Sequence, residues 1–137
     1  WFEFTGLQST GHGPQAPIDV VFEVADHPIV RGHSNWTTIN EELYNNSAGK
    51  LLDTAHALAR GRQKTRTKQG QENQADYVVT WVNDYRGTKV FATTLGHNNA
   101  TVGDPRYLDL VTRGLLWSCG KLNDHYLKPA SGVAAKP

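Results

Sequence analysis

The sequence predicts a single-domain α/β layer protein. Three observations carry that expectation. Ile18 to Val24, Tyr77 to Val82 and Lys89 to Leu95 are β-branched, apolar stretches bounded by Pro, Gly, Asn and Asp, the pattern of strands. Asp104 to Cys119 carries start and stop signals and apolar residues at helical spacing. The chain has 137 residues, 38% of them hydrophobic, enough for one core and one domain.

Residues 1–17 open with aromatic side chains and turn polar and glycine-rich, which reads as the end of one element followed by a loop. Ile18 to Val24 (IDVVFEV) is the first strand. Gly32 to Thr38 reads as loop, and Ile39 to Tyr44 sets an acidic pair ahead of Leu43 and Tyr44. Lys50 to Ala59 (KLLDTAHALA) favours helix by propensity, although its apolar positions fix no period. Arg60 to Gln74 is polar and rich in Arg and Lys, as in a solvated loop or hairpin tip.

Tyr77 to Val82 and Lys89 to Leu95, joined by Asn83 to Gly87, read as a β-hairpin. In the final helix Asp104 can cap the free amides and Pro105 suits the first position. Leu108, Val111, Leu115 and Leu116 fall at helical spacing, with Gly120 as the stop. Cys119, at the end of this stripe beside Trp117, reads as a core thiol. Residues 1–127 thus form the domain, and 128–137 (KPASGVAAKP) a flexible tail or linker.

The balance of charges is 14 basic against 13 acidic residues, which gives no nucleic-acid footprint. No apolar run approaches the ~20 residues of a membrane span. The one cysteine closes no intrachain disulfide. There is no methionine and no secretory leader at residue 1, so the chain is expected to be cut from a longer one, with a lean towards a periplasmic or extracellular setting.

Six histidines stand out, four of them beside Gly or Pro: His12, His27, His33 and His97. A loop histidine next to glycine is open to a ligand or metal, and equally to a backbone hydrogen bond. His97 has the best position, just past a strand and ahead of the capped helix, where α/β sheets bind ligands. Glu41 and Glu42 are neighbours whose side chains point apart, so one can face a pocket while the other is solvated. A site of His12, Glu42 and His97 is chemically sensible for a metal, but the spacing does not establish it. No HExxH, paired CxxC, GxSxG or phosphate loop occurs.

An ordered set of motifs runs through residues 1–120. Gly11-His12-Gly13-Pro14 is followed by Asp26-His27-Pro28-Ile29 and Glu41-Glu42-Leu43-Tyr44. Trp81, Tyr85-Arg86-Gly87-Thr88-Lys89-Val90-Phe91, Thr93-Thr94-Leu95-Gly96-His97, Asp104-Pro105 and Arg113-Gly114-Leu115-Leu116-Trp117 complete it. In this order the chain resembles the trehalose-utilisation, or ThuA-like, family. It departs from the family pattern at Arg86, where a turn glycine is replaced, and at Ala92, where an aromatic residue is replaced.

The resemblance implies a three-layer α/β sandwich similar to flavodoxin and to class I glutamine amidotransferases, of which this chain would be the C-terminal portion. It implies that the first parallel strands and crossover helices of the family domain lie outside the chain, in further segments or chains that complete the fold. It also implies a strand rather than a helix near Leu51 to Ala59.

Functionally it implies a role in sugar catabolism, on a disaccharide or keto-sugar, by acid–base or metal-assisted chemistry. Carried over residue by residue, Glu42 and His97 are the catalytic candidates. His12, Tyr44 and Asp104 are candidates for contact with a sugar, and His12 and His97 for a divalent metal. Helix capping already accounts for Asp104. The alternative is a non-catalytic carbohydrate-binding or scaffold module of a larger extracytoplasmic assembly.

Overall fold

The structure is a computed structural model that describes residues 1–45, 50–66 and 69–127. In chain order the elements are helix α1 (Phe2–Thr5), strands β1 (His12–Ala16), β2 (Asp19–Phe22), β3 (Trp36–Thr37) and β4 (Glu41–Tyr44). There follow β5 (Ala55–Arg66), β6 (Glu72–Tyr85), β7 (Thr88–Thr93), and helices α2 (Asn99–Val102) and α3 (Pro105–Ser118). Five strands form one sheet in the order β3-β2-β5-β6-β7, and β1 pairs with β4 in a separate two-stranded ribbon. Every pairing is antiparallel. The parallel strands that the resemblance places elsewhere in the family domain have no counterpart among the described residues.

The sheet is the middle layer. Adjacent strand residues point to opposite faces. Trp81 packs with Leu7, Ala55 and Val78 on the side of α1, while its neighbour Val82 packs with Leu58, Ile29 and Leu110 on the side of α3. On the α3 side a second cluster joins Ile18, Val20, Trp36, Val79 and Leu95 to Leu43 of the ribbon. Full burial of residues such as Ile18, Leu58 and Leu110 stabilises by roughly 1.5–3 kcal/mol each.

The ribbon can reach the sheet because β5 carries Gly61 at the crossing point. A Cβ there would stand 2.6 Å from Val79, 2.8 Å from Ile18 and 2.9 Å from Leu43. A missing side chain therefore lets β4 lie close, and β4 carries the acidic pair.

Several expectations are corrected. Lys50 to Ala59 is not helical: β5 begins at Ala55 and runs through the basic stretch to Arg66, pairing with β6 out to Glu72. Tertiary pairing overrides a propensity of a few tenths of a kcal/mol per residue. The alternate Arg and Lys side chains are outward positions of a strand, and Gln63 between them is buried. The loop expected within residues 1–17 contains β1. The hairpin connection is tighter than expected, with Arg86 and Gly87 at φ 54° and 82° and the Asp84 carboxylate accepting the Gly87 N–H at 2.7 Å. Positive φ at both central residues matches the twist of the flanking strands.

Helix α3 runs as expected from its cap at Asp104, but it buries a different line. Leu110, Arg113 and Gly114 face the sheet, whereas Leu108 and Leu115 are exposed. Gly114 is the reason: its missing Cβ admits the ring of Phe91, which fixes which face meets β7. Cys119 is likewise exposed rather than a core thiol. The expected tail, 128–137, lies outside the described residues. No helix among the described residues is long and apolar enough to cross a membrane.

Candidate functional site

The β1–β4 ribbon and the turn after β7 bring three of the sequence candidates onto one carboxylate. The register pairs His12 with Tyr44 and Gln15 with Glu42. Glu42 Oε2 lies 3.7 Å from His12 Nε2 and 3.3 Å from His97 Nδ1. The Tyr44 hydroxyl donates to the same oxygen at 3.5 Å. The His12 and Tyr44 rings stand 5.4 Å apart. The Glu42 side chain is 10% exposed, while both imidazoles are about two-fifths exposed, so the acid is sunk beneath two accessible bases.

The other oxygen is held by a residue the sequence did not single out. The Gln15 amide donates to Glu42 Oε1 at 3.3 Å and lies 2.9 Å from His97 Nε2. Its own carbonyl oxygen accepts from Asn40 at 3.3 Å. Turning the amide over would set oxygen against carboxylate and nitrogen against the Asn40 amine, so the orientation is fixed. Gln15 is then the donor to His97 Nε2, and the proton of neutral His97 sits on Nδ1, facing Glu42. At His12 the carbonyl of Gly13 lies 2.8 Å from Nδ1. A carbonyl only accepts, so His12 Nδ1 bears a proton and Nε2 is the nitrogen free to gain or lose one beside Glu42. The signal that could have found Gln15 is period two along β1, but the Gly and Pro beside it masked the strand.

Glu41 has a different role. It is fully buried, and its oxygens accept the backbone N–H groups of His97 at 3.1 Å and Asn98 at 2.9 Å. The expectation that one member of the pair is solvated is therefore corrected. Glu42 faces the cleft and Glu41 clamps the loop that presents His97. Glycine is required in that loop: Gly96 has φ 109°, and a Cβ there would meet the Tyr107 hydroxyl at 2.5 Å. That hydroxyl donates to the Leu95 carbonyl at 3.2 Å. Burial, and after it the Glu41 charge, push the Tyr107 phenol upwards, so it remains a donor.

A cleft of about 390 Å³ opens beside His97 and Tyr44, walled by Thr93, Thr94, Leu95 and Gly96. On the far side of His12 a second hollow of about 210 Å³ is lined by Leu43, Gln63 and Tyr77. Asp104 makes none of the Glu42 contacts. It accepts the Arg106 N–H at 2.8 Å as the cap of α3 and pairs with the Arg106 guanidinium, whose bonds hold its carboxyl below the usual range. That guanidinium lies over Trp36, 4.5 Å from the ring centre. His27 and His33 lie outside the Glu42 cluster as well: His33 pairs with Asp109 at 3.1 Å, and His27 Nδ1 accepts the Ile29 N–H.

Ligand atoms around one ion with bonds of ~2.0–2.2 Å stand about 3–3.5 Å apart. Two imidazoles and a carboxylate are a suitable donor set. His97 Nδ1 and Glu42 Oε2 have that spacing and His12 Nε2 stands slightly wide, but Gln15 as placed keeps a proton on His97 Nδ1, so that nitrogen becomes a ligand only with the Gln15 amide turned over. Among the described residues no group of three His, Cys, Asp or Glu is already arranged as a metal site.

The sequence pattern of the family described as ThuA, trehalose utilisation, matches residues 1–118. No curated protein sequence matches. Among solved structures, a ThuA-like protein from Parabacteroides merdae is similar at TM-score 0.60 and 22% identity, over 82% of this chain and 42% of that one. A ThuA-like protein from Bacteroides uniformis is similar at TM-score 0.61 and 16% identity, over 93% of this chain and 54% of that one. The chain spans about half the length of these structures.

Proposed function

The chain belongs to the ThuA, trehalose-utilisation, family, and we propose that its Glu42 cluster performs acid–base chemistry on a disaccharide or keto-sugar. The observation that carries this is a single buried carboxylate oxygen shared by His12, His97 and Tyr44. A sugar bearing a ketone has an acidic C–H beside the carbonyl. Glu42 takes that proton, and the electron pair left behind forms the enolate. Collapse of the enolate breaks the C–O bond one carbon further on, and the departing oxygen takes a proton from His12 Nε2. Positioned acid–base groups of this kind contribute roughly 10²- to 10⁴-fold each.

His97 holds Glu42 from the opposite side, with Gln15 setting its tautomer, and Tyr44 offers a ring edge and hydroxyl to the sugar. Asp104 acts through the helix it caps. A divalent ion held by Glu42, His12 Nε2 and, with the Gln15 amide turned over, His97 Nδ1 would supply polarisation of the ketone, and metal content of the purified protein tests that part.

The test is turnover of 3-keto disaccharides by the wild type, Glu42→Gln and His97→Ala, with circular dichroism confirming the fold. Loss of 10²-fold or more in kcat in Glu42→Gln supports the assignment. Unchanged turnover in His97→Ala removes His97 from the site. Saturable sugar binding without turnover in the wild type transfers the cluster to the carbohydrate-binding module.

A further inference from the structure

A cavity of about 420 Å³ lies on the α3 face at the other end of β7, where Lys89 is the second residue of the strand whose far end leads to His97. Its wall is apolar: Val24, Leu58, Val82 and the ring of Trp117 from the last turn of α3. Three basic groups converge on that wall. The His27 ring centre is 5.5 Å from that of Trp117, the Lys89 ammonium is 5.1 Å from the same ring, and His56 completes the set.

The other polar groups there are already engaged. The Thr54 hydroxyl donates to Asn83 at 2.7 Å, and the Asn83 amide donates to the carbonyls of Glu3 and Phe4. Asp84, the one carboxylate of the lining, accepts the Gly87 N–H at 2.7 Å in the hairpin turn. His27 Nδ1 accepts the Ile29 N–H, so Nε2 is its donor nitrogen. Burial first, then His56 and Lys89, hold the His27 imidazole below its usual range. Of the charged groups on the lining, the Lys89 ammonium faces the Trp117 ring while the Asp84 carboxylate is turned to the hairpin amide of Gly87. A basic fringe on an aromatic floor suits an anion whose body is flat.

We propose that this cavity binds a small organic carboxylate, its ring stacked on Trp117 and its charge received by Lys89 and the two imidazoles. The volume falls within the ~300–1,000 Å³ range of small-molecule sites. The site is separate from Glu42: none of its lining residues contacts the Glu42 cluster.

The test titrates the full chain with 2-naphthoate and, in parallel, with 2-naphthalenemethanol, which keeps the shape and removes the charge. The Trp117 indole N–H resonance, identified through Trp117→Phe, and calorimetry give the affinity. Saturable one-to-one binding is expected, on the order of tenfold tighter for the carboxylate, with a similar loss in Lys89→Gln and in His27→Gln. Lys89 is exposed, so its replacement leaves the fold intact. Binding is expected to be unchanged in His97→Ala, which separates this site from the proposed activity. No saturable shift of the Trp117 resonance, equal affinity for the alcohol, or indifference to both replacements overturns the proposal.

Discussion

Replacing Gly96 by alanine tests whether the His97 loop is built on a missing side chain. Three costs combine. Gly96 lies at φ 109°, where an L-residue is strained by about 1–2 kcal/mol. The new Cβ would stand 2.5 Å from the Tyr107 hydroxyl and 3.0 Å from its ring carbon, an overpacking of about 1–3 kcal/mol. Moving Tyr107 aside forfeits its bond to the Leu95 carbonyl, about 1 kcal/mol. The sum is about 3–6 kcal/mol, a large share of a typical stability of ~5–15 kcal/mol. Urea unfolding measures it, and an unchanged slope shows that the unfolded state is comparable.

Gly87→Ala is the control. Its φ is 82° and nothing lies within 4 Å of a Cβ there, so it reports backbone strain alone, about 1 kcal/mol. Tyr107→Phe removes the nearest atom. In the wild type it costs about 1 kcal/mol for the lost bond, and in the Gly96→Ala background it is neutral or stabilising. A Gly96→Ala loss no larger than that of Gly87→Ala, or strict additivity with Tyr107→Phe, would refute the reasoning.

Two further outcomes follow from the same geometry. Glu41→Gln keeps one acceptor oxygen and turns an amine towards a backbone N–H, so it should destabilise by about 1–3 kcal/mol; hydrogen exchange at the His97 and Asn98 amides should accelerate, and unchanged protection would argue against the clamp. Asp104→Asn keeps the helix cap but loses the charge facing Arg106. The folded carboxyl is held below its ordinary value of 3.8. Its contribution is therefore present above that value and lost as pH falls through the lower folded one. Wild type should exceed Asp104→Asn by about 0.5–1 kcal/mol at pH 7, with the gap closing below pH 3.8; a gap independent of pH would refute the charge argument.

The fold was readable where one residue type settles a backbone state. Asp104-Pro105 marks a helix start by hydrogen bonding and ring geometry, and α3 begins there. Runs such as YVVTWV pack on both faces of a sheet and became the centre of β6. It was not readable where pairing partners decide. KLLDTAHALA contains good helix formers, yet Ala55, Ala57 and Ala59 are small because α1, Trp81 and the core lie against them. The buried line of α3 was hidden for a similar reason: glycine carries no hydrophobicity, and Gly114 marks the contact by what it lacks.

At the site the residue types were visible and their division of labour was not. Glu41 and Glu42 are chemically identical neighbours, and a strand sends them in opposite directions. One meets two backbone amides and the other two imidazoles. Those partners come from residues 12, 97 and 98, so pairing across long separations assigns the roles. The same logic places Gln15, an unremarkable polar residue in sequence, between the base and the histidine through its register with Glu42. Slipping β1 by one residue against β4 would turn Gln15 away and leave the tautomer of His97 unset. The Gly61 close approach, which seats the ribbon on the sheet, is therefore as much a condition of the proposed chemistry as Glu42 itself.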